Sequence, residues 1–259
     1  MNDKDIAWKA IFDRYNIYDH DFDHSPYRLT ASQIKEATKQ FTNTGQREPR
    51  ILCKQDSRES RPGIFRELGL FILPVKNGEY MIIKGEGYID IPPITSSPVT
   101  HVSKLGFRPV TSLVGDSEMQ HLDYAYAVSI IRTFMNDPSL VLTIRGRKYT
   151  PEFSFYVGHH HITVKSVQTE VDAGYEGLDQ IVLVEAKNSH ASNVIIRQLY
   201  YPFRQWMNRI MEHGVDKSVF TVFFERIGDE LHLWQFRFDD IDDYNSIRLI
   251  RKERFVVED

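Results

Sequence analysis

Apolar residues at Ile6, Ala7, Ala10, Ile11 and Phe12 recur at helical spacing and predict a helix over 6–15. A second helix is expected just after Thr30. There Thr30-Ala31-Ser32-Gln33 fits a capping box, and Ile34, Ala37 and Phe41 supply an apolar stripe. Pro62 suits the first turn of a short helix reaching Leu68, which Gly69 ends. Two apolar runs, 70–75 and 80–84, flank Asn77-Gly78, the strongest short-range hairpin signal. The proline-rich stretch 91–109 has few periodic segments and predicts a linker or surface excursion. From Ser117 a helix is expected to residue 136, with Leu122, Ala125, Tyr126, Ser129, Ile130 and Phe134 on one side. Asp137-Pro138 stops it. Strands predominate beyond, at 141–144, 152–157, 161–171, 180–186, 219–225 and 231–236, with one helix at 192–211.

This order reads as two parts, with a boundary near Gly115. Residues 1–115 form an α+β region in which helices, a basic segment and a hairpin follow one another. That sequence of elements is compatible with a winged-helix arrangement used for DNA recognition, ending in a linker at 90–115. Residues 116–259 are expected to form an α/β (α+β) domain, a mixed sheet flanked by helices.

Composition removes several classes. With 259 residues, 41% hydrophobic and 26% charged, the chain can bury a proper core and is not disordered as a whole. Its one cysteine, Cys53, excludes a disulfide framework and a Cys-rich zinc site. No apolar run approaches the ~20 residues of a membrane span. The first residues, Met1-Asn2-Asp3-Lys4-Asp5, are charged and do not read as a signal peptide, so a cytoplasmic location is expected. The net charge of −4 excludes a uniformly basic nucleic-acid coat. Residues 1–115 hold 16 Lys and Arg against 14 Asp and Glu, and residues 116–259 hold 16 against 22. Such a split suits a DNA binder joined to a metal-dependent catalyst, but it is too small to decide anything.

The candidate chemistry lies in 168–188. The strand 180–186 is apolar on both faces, as a central strand is, and then carries Glu185 and Lys187. Alternation puts these two on one side, about 7 Å apart along the strand. Burying both is costly unless they are paired or bind a metal. On the preceding strand Gln168, Glu170 and Asp172 share a face, and hairpin pairing would bring Asp172 to Glu185. Two carboxylates and the backbone carbonyl of Ala186 make a hard oxygen site suited to Mg²⁺. Lys187 beside it is placed to orient a water and to offset charge in a phosphoryl-transfer transition state.

These residues resemble a known superfamily. Asp172, twelve intervening residues and Glu185-Ala186-Lys187 match the PD-(D/E)XK nuclease signature, with Val171 where the motif has proline. The wider chain resembles a group of type II restriction endonucleases. The matching passages are Arg47-Glu-Pro-Arg50, Lys54-Gln-Asp-Ser-Arg58, Leu73-Pro74, Thr143-Ile-Arg-Gly-Arg147, Val171-Asp-Ala-Gly-Tyr-Glu176, Glu185-Ala-Lys-Asn188 and Arg197-Gln-Leu-Tyr-Tyr-Pro202. The resemblance implies a PD-(D/E)XK core and Mg²⁺-dependent cleavage of a specific double-stranded DNA sequence. It also implies Asp172 and Glu185 as metal ligands and Lys187 as the catalytic lysine. A cognate DNA methyltransferase in the same restriction-modification system belongs with that reading. A homodimer is inferred from the two-fold symmetry of palindromic targets.

Asp179 rivals Asp172 as the metal carboxylate, but it sits beside the turn, at the far end of the hairpin from Glu185. Glu170 and Glu118 are candidate auxiliary carboxylates, although Glu118 also suits a helix N-terminus. Arg145, Arg147 and Lys148 form a basic cluster after a strand. Arg197, Gln198 and Arg204 on the following helix, and Arg58 and Arg61 in the basic segment, complete the candidate DNA-binding set. Tyr200, Tyr201, Phe203, Trp206, Trp8 and Trp234 read as core, and Pro202 as a helix kink. The loops at 19–24, 159–161 and 239–243 read as solvated turns rather than metal sites. Two other readings stay open: a structure-specific or repair nuclease of the same fold, and a non-catalytic winged-helix DNA-binding regulator.

Overall fold

Helix α1 (Asp3–Arg14) buries Ala7, Ile11 and Phe12 of the predicted stripe together with Trp8, while Ile6 is exposed and Ala10 half-buried. In the computed structural model, which describes residues 3–258 except 108, 116 and 189, the chain continues with β1 (Tyr27–Thr30), α2 (Ala31–Ala37), α3 (Thr44–Arg47), α4 (Pro49–Leu52), α5 (Gly63–Glu67), β2 (Leu70–Lys76) and β3 (Glu79–Lys84). Thr30 closes the expected capping box with Gln33. The hairpin forms as predicted, with Gly78 at φ +75° in its turn. Strand β1, which the pattern did not reveal, pairs with β3 and gives the order β1-β3-β2. The loop at 19–24 is an Asx-type turn, in which the Asp21 Oδ1 accepts from the Asp23 and His24 amides.

The second part contains β4 (Tyr88–Asp90), β5 (Val99–Val102), α6 (Glu118–Ala127), α7 (Ile130–Met135), β6 (Val141–Tyr149), β7 (Phe153–Val157), β8 (His160–Val164), β9 (Gln168–Glu176), β10 (Gln180–Lys187), β11 (Asn193–Ile195), α8 (Arg197–Glu212), β12 (Ser218–Ile227), β13 (Glu230–Phe238) and β14 (Ile247–Glu258). Seven strands form one sheet in the order β5-β14-β13-β12-β10-β9-β6. The β10–β12 and β14–β5 pairs are parallel and the others antiparallel, so the sheet is mixed, with helices on both faces. Along β10, Ile181 and Leu183 join the core under α8, while Val182 and Val184 join the core under α6 and α7. Burial on both faces explains why this stretch is apolar without alternation.

Several elements differ from expectation. The single helix over 117–136 is two helices, broken at Ser129, which takes a left-handed φ of +67°. His101 Nε2 meets the Val128 carbonyl exposed at that break, at 2.7 Å. The strand expected over 161–171 splits at Ser166 (φ +55°), sending β8 to pair with β7 and β9 into the large sheet. The segment 90–115 is not a linker between two bodies, because β4 pairs with β11 and β5 pairs with β14. Arg145, Arg147 and Lys148 lie within β6 rather than in a loop after it. Helix α8 starts five residues later than predicted, after the short strand β11. Among the described residues no helix is long and apolar enough to cross a membrane.

The two parts share one core. Phe71, Leu73, Val75 and Ile83 of the hairpin pack with Phe153, Phe155, Tyr200 and Tyr201. Main-chain bonds reinforce this seam: Lys165 N–H to the Val75 carbonyl at 2.9 Å, Ile195 N–H to Asp56 at 2.9 Å, and Ile196 N–H to Gly87 at 2.9 Å. The Tyr201 hydroxyl donates to the Pro74 carbonyl at 3.0 Å.

Candidate active site

Strands β9 and β10 pair regularly up to Ala173 opposite Val184 and then stop. The next residues along each strand are Asp172 and Glu185. Where the ladder ends, the Asp172 side chain takes over: its Oδ2 accepts the Ala186 amide at 2.8 Å. A strand residue directs its N–H and C=O to the same side, so the Ala186 carbonyl also faces Asp172. Glu185 is buried and packs beneath α8. Its Oε1 receives the Lys187 ammonium, two residues along the same face, and the Gln198 Nε2 at 2.7 Å. The sheet thus gathers Asp172, Glu185, the Ala186 carbonyl and Lys187 at one end of two adjacent strands. Asp179 precedes β10, and the Ser218 amide takes its carbonyl at 3.0 Å. It stands at the opposite end of the hairpin.

The electrostatics are short of positive charge. Burial raises the Asp172 pKa above the ordinary carboxylate value; the Ala186 amide and Lys187 oppose this, while Glu118 and Glu170 add to it. Burial also pushes Glu185 up, to about 7, against the pull of Lys187 and with repulsion from Asp172. Burial works against the Lys187 ammonium, yet the Glu185 carboxylate outweighs it and the lysine pKa is raised. Lys187, with Arg197 as a further cation acting on Glu185, therefore serves the buried Glu185 and the half-buried Asp172, with Glu118 close by. A proton or a bound cation would relieve the repulsion among these carboxyls. Among the described residues no set of three His, Cys, Asp or Glu side chains converges on a metal position. The donors here are two carboxylates and one main-chain carbonyl. All are hard oxygens, the chemistry that suits Mg²⁺, so the residues fit such an ion. The buried Gln198 Oε1 lacks a hydrogen-bond partner and leaves a further acceptor beside Glu185.

These groups line a cleft of about 500 Å³. Its floor is Asp172, Glu185 and Lys187; Glu118, Arg147, Glu170, Arg197 and Gln198 line it from the second part of the chain. The opposite wall comes from the first part, through Arg50, Lys54, Lys76, Asn77 and Tyr80. The hairpin tip and the carboxylates thus border the same cleft.

Not every predicted site residue reaches this cleft. Arg147 and Glu170 do, paired across neighbouring strands at 3.1 Å. Lys148 is exposed on β6 outside it. Arg145 is bound to Asp123. Arg204 is turned away, tied to Asp242 at 2.8 Å and to the Ile241 carbonyl at 3.1 Å. Arg58 is held by Asp90, by Glu86 at 3.4 Å and by the Tyr88 carbonyl at 3.3 Å. Arg61 donates to the Arg58 and Leu70 carbonyls and lies over the Tyr88 ring. Arg58, Arg61 and Arg204 are therefore fastenings within the fold, not groups facing a ligand. Sequence reasoning passed over Lys76 and Asn77, which it treated only as a turn. It noted Arg50 and Lys54 as part of a basic segment but gave them no role.

Two family models match the chain. One, described as Domain of unknown function (DUF6997), covers residues 83–256, and the other, Domain of unknown function (DUF6996), covers residues 5–82. The first spans more than half of the chain, which therefore belongs to that family; the two matches meet within β3. Comparison with curated proteins and with solved structures yields no match.

Proposed function

We propose that this member of the DUF6997 family is a Mg²⁺-dependent endonuclease of PD-(D/E)XK type that cuts double-stranded DNA at a specific sequence, as a type II restriction enzyme does. The observation that carries the reading is the gathering of Asp172, Glu185 and Lys187 on the floor of one cleft. A stable fold has little reason to bury Glu185 beside a half-buried Asp172 and Lys187, since an apolar set of similar volume is often at least as stable. Asp172, Glu185 and the Ala186 carbonyl would hold the ion, which would polarise a phosphoryl oxygen and lower the pKa of a bound water.

The chain's own groups do the rest. The Ala186 amide orients Asp172, and Gln198 orients Glu185. The Lys187 ammonium stands beside them, where it can meet a phosphate and offset the charge that builds up during water attack. A two-fold dimer on a palindromic site and a partner methyltransferase go with this proposal.

The test is digestion of unmethylated phage-sized DNA with Mg²⁺ and with EDTA. Discrete fragments that vanish with EDTA are expected. A smear would keep the metal chemistry and turn the reading to a structure-specific or repair nuclease. A second reading, a non-catalytic DNA-binding regulator, draws on the first part of the chain. There the helices pack beside a sheet of order β1-β3-β2, a topology compatible with a winged helix. A gel shift without cleavage would favour it.

A further inference from the structure

We infer that Arg50, Lys54 and Lys76 form a fixed cationic wall that holds the DNA backbone against the carboxylate floor, an inference that rests on the nuclease reading above. Several arginines of the second part are held in partly buried pairs: Arg145 on Asp123, Arg204 on Asp242 and Arg254 on Glu230; Arg147 lines the cleft but is paired with Glu170 across the neighbouring strand. The wall is different. Among the described residues Arg50 makes no side-chain hydrogen bond or ion pair, and its side chain is exposed on the cleft. Lys54 reaches Asp56 only at 3.4 Å with 72% of its side chain exposed, and Lys76 reaches Glu79 at 3.3 Å with 59% exposed. Pairs that open to water are weak and are readily exchanged for a phosphate. Arg197, at 3.7 Å from Asp56, borders the same space.

Two features single out a polyanion as the ligand. The floor carries excess negative charge, so an isolated anion would be repelled there. A backbone with regularly spaced phosphates can instead rest on the cationic wall while one phosphodiester crosses to Lys187. The second feature is rigidity. The hairpin bearing Lys76 shares its core with α8 and β7, and the Tyr201 hydroxyl and the Lys165 amide fasten Pro74 and Val75. The backbone that carries Lys76 is therefore packed in place before DNA binds. Phosphate contacts of this kind position the duplex and carry no sequence information.

The experiment measures binding of a short mixed-sequence DNA duplex by fluorescence anisotropy in EDTA, over about 50–200 mM KCl. Each of Arg50→Ala, Lys54→Ala and Lys76→Ala should lower the slope of log K against log salt by about 0.9, and the triple variant by between about 2 and 3. Arg50→Lys should keep the wild-type slope. Lys148→Ala, also exposed but outside the cleft, should change nothing. Circular dichroism checks that the surface variants fold. A folded triple variant with the wild-type slope would overturn the wall while leaving wild-type binding and Mg²⁺-dependent cleavage intact. A slope change in Lys148→Ala equal to that at Lys76 would also overturn it, because a diffuse field would then account for binding. A wild-type chain that neither binds nor cuts DNA would remove the nuclease reading, and the wall with it.

Discussion

Glu185→Gln tests the electrostatics of the site without any knowledge of its substrate. Burial raises this carboxyl from an ordinary 4.5 to about 7, despite Lys187. A group with a raised folded-state pKa binds more protons when folded than when unfolded, between those two values. The stability that accompanies the retained proton is present in full below the unfolded value and is lost as pH climbs through the folded one. At about 1.4 kcal/mol per pH unit, the loss attributable to Glu185 is about 3 kcal/mol. Glutamine keeps an oxygen that can accept from Gln198 and Lys187 but removes the ionisation. In a chain of this size about 3 kcal/mol corresponds to a Tm change of about 6–12 °C. Calorimetry in EDTA from about pH 5 to about pH 8 should therefore show the wild-type Tm falling more steeply than that of Glu185→Gln. Added Mg²⁺ should raise the wild-type Tm more at the alkaline end, where no proton must leave first. Parallel pH profiles for the two proteins would refute the reasoning, because Glu185 would then ionise like a surface carboxyl.

Three further outcomes are expected. Lys187→Ala should lower cleavage at least 10²-fold, the scale of removing one transition-state charge partner, and lower duplex affinity in EDTA by no more than a single wall variant does; retention of the normal cutting rate would remove the central claim. Asp172→Asn should abolish Mg²⁺-dependent cutting whereas Asp179→Asn should not, and a kinetic comparison showing the reverse order would reassign the metal carboxylate. Arg204→Ala should cost about 0.5–1.5 kcal/mol of stability by removing the Asp242 ion pair and one of the two donors on the Ile241 carbonyl, which keeps the Tyr200 hydroxyl, read as a lower denaturant midpoint with an unchanged salt slope for DNA binding.

Local signals in the chain were enough for the hairpin at Asn77-Gly78, the capping box at Thr30 and the central position of β10. Each is decided by residues within a few positions of one another. The failures share a different cause. Ser129 and Ser166 adopt left-handed backbone, and neither is a glycine that would announce a break. Strand β5 is held by pairing with β14, about 150 residues away, so nothing within 91–109 marks it as a strand. Strand β14 itself, with half-exposed charged residues on both faces near the sheet edge, lacks the apolar alternation that exposed its neighbours.

The same distinction separates the two carboxyls and the lysine of the cleft from the basic residues. Asp172, Glu185 and Lys187 were legible because strand period and hairpin register fix which side chains meet, and both are local rules. An arginine's role depends on which acceptor the fold brings to it, and charge alone does not say. Arg58 meets Asp90 and Glu86 at the seam, while Arg50, eight residues earlier, is left facing the cleft. One overlooked signal did bear on this. A hairpin free to act as a wing needs a polar face, yet the run Leu70-Phe-Ile-Leu73 is apolar at every position. Leu70 and Ile72 enter the core of the first part, and Phe71 and Leu73 the core shared with α8. A strand covered on both faces is a wall between two cores, so its tip is held in place. The hairpin therefore belongs to the architecture of the cleft: its packed strands bring Lys76 to the same cleft as the carboxylates.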